Sequence, residues 1–227
     1  MRTKAVLVAL ILGFLTSAAS AADTVVVIEL KGARGVATAE HIISGIKHAE
    51  AIGAELVIID MDTPGGLMTP MRDIIQTILN SSVPVATYVS PEGARADSAG
   101  TYILMASHIA AMAPTTHLGA ATPVSLTGDG VTPEAATEDA PADEDQGEED
   151  ADAETAPQPG TSMERKVLND AIAYIRGLAE RHGRNADWAE EAVRDAATLT
   201  AREALERNVI EFIADDHAAL LEMIDGH

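Results

Sequence analysis

Between residues 24 and 113, short apolar runs rich in β-branched residues alternate with longer segments whose apolar positions recur at helical spacing. That alternation constrains the fold more than any other feature. Strands separated by helices lie parallel in one sheet, joined by right-handed crossovers, and fully apolar strands belong in a sheet covered on both faces. Residues 24–30, 56–61, 84–89 and 109–113 read as the strands. Residues 38–52 form a helix with Ala39, Ile42, Ile43, Ile46 and Ala49 on its inner face, and Gly53 stops it. Residues 67–79 form a second, with Met71, Ile74, Ile75 and Ile78 inward. Residues 98–107 form a third, rich in small residues at its start, after a turn at residues 91–93. No Gly-x-Gly-x-x-Gly follows the first strand, so a dinucleotide-binding fingerprint is missing, and no repeat of solenoid length is present.

The first 21 residues have a different character. Arg2 and Lys4 form a basic start, residues 5–15 an apolar stretch, and Ala19-Ser20-Ala21 a small-x-small cleavage site. This is the form of a signal peptide, with the mature chain beginning at Ala22 or Asp23 and forming one domain over 22–227; an uncleaved anchor is the bland alternative. The stretch is short for a membrane span, so export is expected. The exported chain has no cysteine, which excludes disulfides and thiolate metal sites.

The formal charge of −21 argues against nucleic acid and anionic lipid as partners. Much of it is concentrated in a segment at about 128–162, where Asp, Glu, Ala, Pro and Gly replace the apolar pattern. Such a composition cannot bury enough apolar surface to order itself. It reads as a long acidic loop, either simply solvated or lying as a lid over a cleft. Helical periodicity returns at residues 163–182 through Val167, Ala171, Tyr174, Ile175 and Leu178, and again at 186–196. Thr200 and Glu203 make a capping box, residues 209–213 read as a strand, and 218–224 as a last helix.

Three places carry candidate chemistry. Ser98 lies at the predicted start of the third helix, where free backbone N–H groups and the helix dipole favour developing negative charge. Its commonplace reading is an N-cap. Asp62-Thr63-Pro64-Gly65-Gly66 follows the second strand, and its glycines let a backbone present N–H groups to a closely approaching chain. Its commonplace reading is a strand-to-helix turn. Lys166, among Met163, Val167 and Leu168, becomes a base only if its ammonium is destabilised by an apolar wall or by a like charge such as Arg165. Its commonplace reading is a solvated lysine. Taken together they read as nucleophile, oxyanion loop and base of a serine–lysine peptide hydrolase. The histidines are scattered without metal-ligand spacing, so no metal or cofactor is expected.

Several ordered blocks resemble the NfeD membrane-bound serine proteases, of the Clp protease and signal-peptide-peptidase A class. They are Asp62-Thr-Pro-Gly-Gly-Leu67, Pro84-Val-Ala-Thr-Tyr-Val-Ser-Pro91, Gly93-Ala-Arg-Ala-Asp-Ser-Ala-Gly-Thr-Tyr-Ile103, Ala111-Met-Ala-Pro114, Gly119-Ala-Ala-Thr-Pro123 and Lys166-Val-Leu-Asn-Asp-Ala171. The resemblance implies an α/β, ClpP/crotonase-like fold of stacked β-β-α units. It makes Ser98 the nucleophile, Lys166 the general base and the amides of Gly66 and Ala99 the oxyanion hole, with Gly65 shaping that loop. It further implies an exported, periplasmic or membrane-associated homo-oligomer acting on a peptide or protein substrate, such as hydrophobic segments of stomatin-type membrane proteins. Asp97 departs from the pattern, since a small apolar residue is expected before the nucleophile; a carboxylate there would favour a protonated lysine or disturb the oxyanion site. The chain also ends at His227, before the transmembrane helices and small β-barrel of longer members. The alternative function is a catalytically silent oligomeric scaffold of the same fold that holds membrane proteins.

Overall fold

The computed structural model describes residues 24–32, 35–123 and 162–225. The expected signal peptide and nearly all of the acidic loop fall outside the described residues. Strands β1 (Val25–Lys31), β2 (Leu56–Asp62) and β3 (Val85–Val89) alternate with helices α1 (Val36–Ile52) and α2 (Met68–Asn80). Then follow β4 (Arg95–Asp97), α3 (Ala99–Ala106), β5 (Ile109–Met112) and β6 (His117–Gly119). The rest comprises α4 (Ser162–Arg181), α5 (Ala186–Arg194), β7 (Thr198–Thr200), α6 (Ala201–Glu206), β8 (Phe212–Ile213) and α7 (His217–Ile224).

The main sheet has the order β1-β2-β3-β5-β8 and every pairing in it is parallel. The period-2 geometry of its strands divides two cores. Val57, Ile59 and Met61 of β2 join the larger core with the buried faces of α1 and α2, whereas Leu56 and Ile58 join the smaller one under α7. Asp60 shares that second face, where its carboxylate meets His217 Nε2 at 2.9 Å and accepts a hydrogen bond from Ser90 Oγ at 3.2 Å, tying α7 to the sheet. Gly53 closes α1 in the left-handed conformation, and Thr200 and Glu203 form the expected capping box of α6.

Two expectations need correction. A second sheet, β4-β6-β7, stands beside the first. Its strands are three residues each, too short to show alternation. Only Phe212 and Ile213 of the segment expected as a strand pair in the sheet. Val209 and Ile210 ahead of them are buried in the larger core, and the N–H groups of both bond to the carbonyl of Ala204 in α6.

The junction between the sheet and the C-terminal helices rests on Arg184, whose side chain is 1% exposed. Its Nε and Nη2 donate to the Glu211 carboxylate at 2.8 Å each, while Nη1 reaches the carbonyls of Leu104, Met105 and Ser107 at the end of α3. One buried cation thus ties the Glu211 carboxylate to three carbonyls at the C-terminal end of α3. Removing it takes a donor from all three carbonyls and leaves Glu211 with the Ala110 N–H alone among the described residues. Arg184→Leu should cost about 3–5 kcal/mol, read as a lowered urea midpoint with unchanged m-value.

His108 and His182 meet edge to face beside this cation, with ring centroids 5.8 Å apart. Burial, assisted by the Arg184 charge, depresses His182 to about 4, and burial likewise lowers His108. Between pH 4 and the ordinary histidine range the unfolded chain therefore binds more protons than the folded one, so stability rises with pH across that window. His182→Gln should flatten the rise between pH 4 and about 6.5 relative to the unsubstituted chain, measured by denaturant unfolding at each pH.

Candidate active site

All eight residues of helix α3, Thr101 and Tyr102 included, are buried. Such a helix has no solvent face, so its ends are fixed by the packing around it. Ser98 occupies its N-cap position, yet its side chain makes no capping hydrogen bond. The commonplace role of a serine at this position is therefore not the one it fills.

The backbone of Ser98 is unusual as well, at φ 52° and ψ −118°. A non-glycine residue is strained there, and such strain persists only where the surroundings over-determine it. The surroundings are visible. Ser98 N–H donates to the Gly119 carbonyl at 2.8 Å, and its own carbonyl accepts from Thr101 N–H at 3.0 Å. The buried Thr101 hydroxyl lies 2.8 Å from the Ala96 carbonyl, 2.9 Å from that of Gly119 and 3.1 Å from Gly119 N–H, which donates to it. Gly119 must be glycine: at φ 133° its added Cβ would stand 2.2 Å from the Ala197 carbonyl oxygen on the way into β7.

The glycine loop is held against this turn by Thr63. Its N–H donates to the Arg95 carbonyl at 2.7 Å and its carbonyl accepts from Asp97 N–H at 3.1 Å, extending β2 alongside β4. The fully buried Thr63 hydroxyl also donates to the Gly32 carbonyl and accepts from Gly65 N–H at 3.0 Å. Gly65 N–H is thereby consumed inside the loop. Gly65 has φ 118°, and an added Cβ would come within 2.7 Å of Ser98 Cβ and 3.1 Å of Ser98 Oγ. The loop thus lies directly against the candidate nucleophile. Gly66, next along, is exposed, and Ala99 opens α3, where an N–H has no intrahelical acceptor.

Ser98, Gly65, Gly66 and Ala99 are therefore brought to one place. Lys166 stands on the first turns of α4, where it is exposed. Met163 and Val167 are 68% and 45% exposed, so the apolar wall expected around the lysine is not formed in this arrangement. The anchored part of α4 begins further along. Arg72 of α2 pairs with Asp170 at 2.6 Å and lies over the Tyr174 ring at 4.3 Å, and that ring stacks on Tyr102 of α3.

Asp97 has a place of its own. Its carboxylate approaches Arg95 at 3.4 Å and His117 at 3.6 Å across β4 and β6, with the side chain 15% exposed. Burial pushes its pKa above the usual carboxylate value, His117 and Arg95 oppose this, and Asp62 adds to it. Sequence reasoning missed Thr63, Thr101, Gly119 and His117. The first three are backbone-holding residues whose roles depend on which strands become neighbours, and the sequence carries no local signal for them.

Comparison with known proteins follows the same regions. The family model for the NfeD1b N-terminal domain matches residues 24–142. The chain belongs to this family. It is 38% identical over 217 residues to the membrane-bound protease PH1510 of Pyrococcus horikoshii, covering 96% of this chain and 43% of that protein. It is 37% identical over 112 residues to the membrane protein NfeD1b of Bacillus subtilis, covering 49% of this chain and 25% of that one. The chain thus spans less than half the length of either relative. Among solved structures, a serine-to-alanine mutant of the 1510-N membrane-bound stomatin-specific protease superposes with a TM-score of 0.72 at 37% identity, over 90% of this chain and 86% of that one. A lysine-to-alanine mutant of 1510-N in complex with a substrate peptide gives 0.70 at 38% identity, over 89% and 80%. The ClpP-like α/β architecture expected for the family is the one found.

Thr101 is a direct test of how the turn is held. Thr101→Val keeps the shape but leaves the Ala96 and Gly119 groups without its hydroxyl, and should cost about 2 kcal/mol in denaturant unfolding. A Thr101→Ser chain should retain most of that stability.

Proposed function

We propose that this NfeD-family chain is a serine endopeptidase in which Ser98 attacks the peptide carbonyl and Lys166 takes its proton. The amides of Gly66 and Ala99 receive the oxyanion, and Gly65 sets the loop that presents Gly66. The observation that carries this reading is the strained, uncapped Ser98 at the head of a wholly buried helix, with Gly65 packed on its side chain. A positive-φ serine whose hydroxyl does not cap its helix is available for chemistry. The solved relatives support the pairing of a serine with a lysine, since one is a serine-to-alanine mutant and another a lysine-to-alanine mutant holding substrate peptide.

In the step itself, Ser98 Oγ bonds to the carbonyl carbon as its proton passes to the neutral Lys166 amine. The carbonyl oxygen becomes the oxyanion between the two amides. Collapse of the intermediate expels the amine, which takes the proton back from Lys166, and a water then hydrolyses the acyl-serine. For Lys166 to act, its amine on the first turns of α4 must reach Ser98 Oγ; Met163 and Val167 on the same turns are exposed.

The substrate class follows from the relatives. PH1510 is a membrane-bound protease and 1510-N is stomatin-specific, so hydrophobic segments of a stomatin-type membrane protein are the proposed substrate, cut in an exported, membrane-associated setting. No described helix is long and apolar enough to cross a membrane. The proposed domain spans 22–227 and works as a homo-oligomer. A catalytically silent scaffold is the second reading, favoured by the exposed Lys166 and by Asp97 beside the nucleophile.

Labelling with a serine-reactive fluorophosphonate separates the two. The unsubstituted chain should label and Ser98→Ala should not; absence of labelling in both would support the scaffold. Lys166→Ala should lower peptide hydrolysis by about 10²–10⁴-fold while leaving the unfolding midpoint unchanged.

A further inference from the structure

A groove of about 420 Å³ opens between the N-terminal ends of α1 and α2. It does not contain Ser98. It begins at Leu67, the residue directly after Gly66, and continues along Met68, Val36 and Ile43. Val36 and Leu67 leave 62% and 42% of their surfaces exposed there, an unusual outlay of apolar area beside a polar catalytic loop. Two carboxylates, Glu40 of α1 and Asp73 of α2, line the same groove. Neither forms an ion pair among the described residues, and Arg72, the cation next to Asp73, is committed to Asp170 and the Tyr174 ring.

The geometry points to this groove as a substrate subsite that takes a bulky aliphatic side chain with a Lys or Arg next to it. We infer this from two features that converge. Continuity with the oxyanion loop comes first: a peptide whose carbonyl sits at Gly66 N–H has its neighbouring residues a few ångströms from Leu67. Charge comes second: an apolar floor with two unpaired carboxylates complements an apolar side chain flanked by a cation, while a flanking Asp or Glu would be repelled. The volume is of the order of an ordinary small-ligand cleft and holds one or two side chains rather than a folded partner. The subsite therefore selects the boundary of a hydrophobic segment, where aliphatic residues give way to basic ones, rather than its middle. This inference rests on the protease reading for the identity of the ligand as substrate, though the binding it predicts does not require turnover.

The test uses the full chain carrying Ser98→Ala, so that binding is read without hydrolysis. Two fluorescent peptides share a Leu/Val/Ile core and differ only in carrying Lys or Glu beside it. Anisotropy is measured at about 0.15 M salt, where remote charges are screened. The Lys peptide should bind at least about fivefold more tightly, and the charge swap Glu40→Lys/Asp73→Lys should reverse the order. Val36→Trp, which fills the groove from an exposed position, should weaken both peptides about tenfold while leaving the urea unfolding midpoint unchanged. An unaltered Lys/Glu ratio in the charge-swapped chain would overturn the subsite. So would peptide binding that survives Val36→Trp while self-association is lost, which would assign the groove to a second copy of the chain. Failure of labelling in the intact chain, with the binding pattern as expected, would count against the catalytic reading and leave the groove standing.

Discussion

A helix buried on every side has almost no freedom in how it enters the core, and α3 is such a helix. Its burial fixes where its first residue stands, and the chain must reach that point from β4 by whatever backbone route remains. The route passes through Ser98 at positive φ, a cost of order 1–3 kcal/mol that the packing of α3 and the hydrogen bonds of Gly119 and Thr101 offset. Strain at this one residue is thus a consequence of a buried helix meeting a short strand. It also aims the hydroxyl away from the cap it would otherwise make.

The glycine loop depends on the same arrangement from the other side. Thr63 joins β2 to β4 through its backbone and shapes the loop through its hydroxyl, so the two halves of the site are coupled by one buried threonine. Gly100 completes the fit, since an added Cβ would meet Thr63 Cγ2 at 2.8 Å. Small residues around Ser98 therefore reflect close backbone approach in three directions: Gly65 toward Ser98, Gly100 toward Thr63 and Gly119 toward β7. Asp97, next to Ser98, is accommodated by Arg95 on its own strand and His117 on β6.

Lys166 differs in kind from the rest of the site. Ser98 and the glycine loop are set by the core, whereas the lysine rides on the exposed first turns of a helix that packs on the core from Leu168 onward. As the proposed base, it would sit on an exposed helix end. Low local contact is the usual property of elements that close over substrates.

The sequence by itself determined the parallel sheet, because β-branched runs separated by helical periods leave no other pairing, and it determined the main helices through Ile42, Ile46, Ile74 and Ile78 at regular spacing. It also singled out Ser98 and the Pro-Gly-Gly loop, whose residue types carry chemistry wherever they stand. The tertiary structure alone decided that Thr63, Thr101 and Gly119 hold these parts together, since their partners lie on strands too short to announce themselves. It decided equally that Asp97 faces His117, and that Lys166, surrounded in sequence by Met163, Val167 and Leu168, stands in solvent. Side-chain chemistry and periodicity are local properties and survive in a linear string; hydrogen-bond partnership and burial depend on which distant backbones meet.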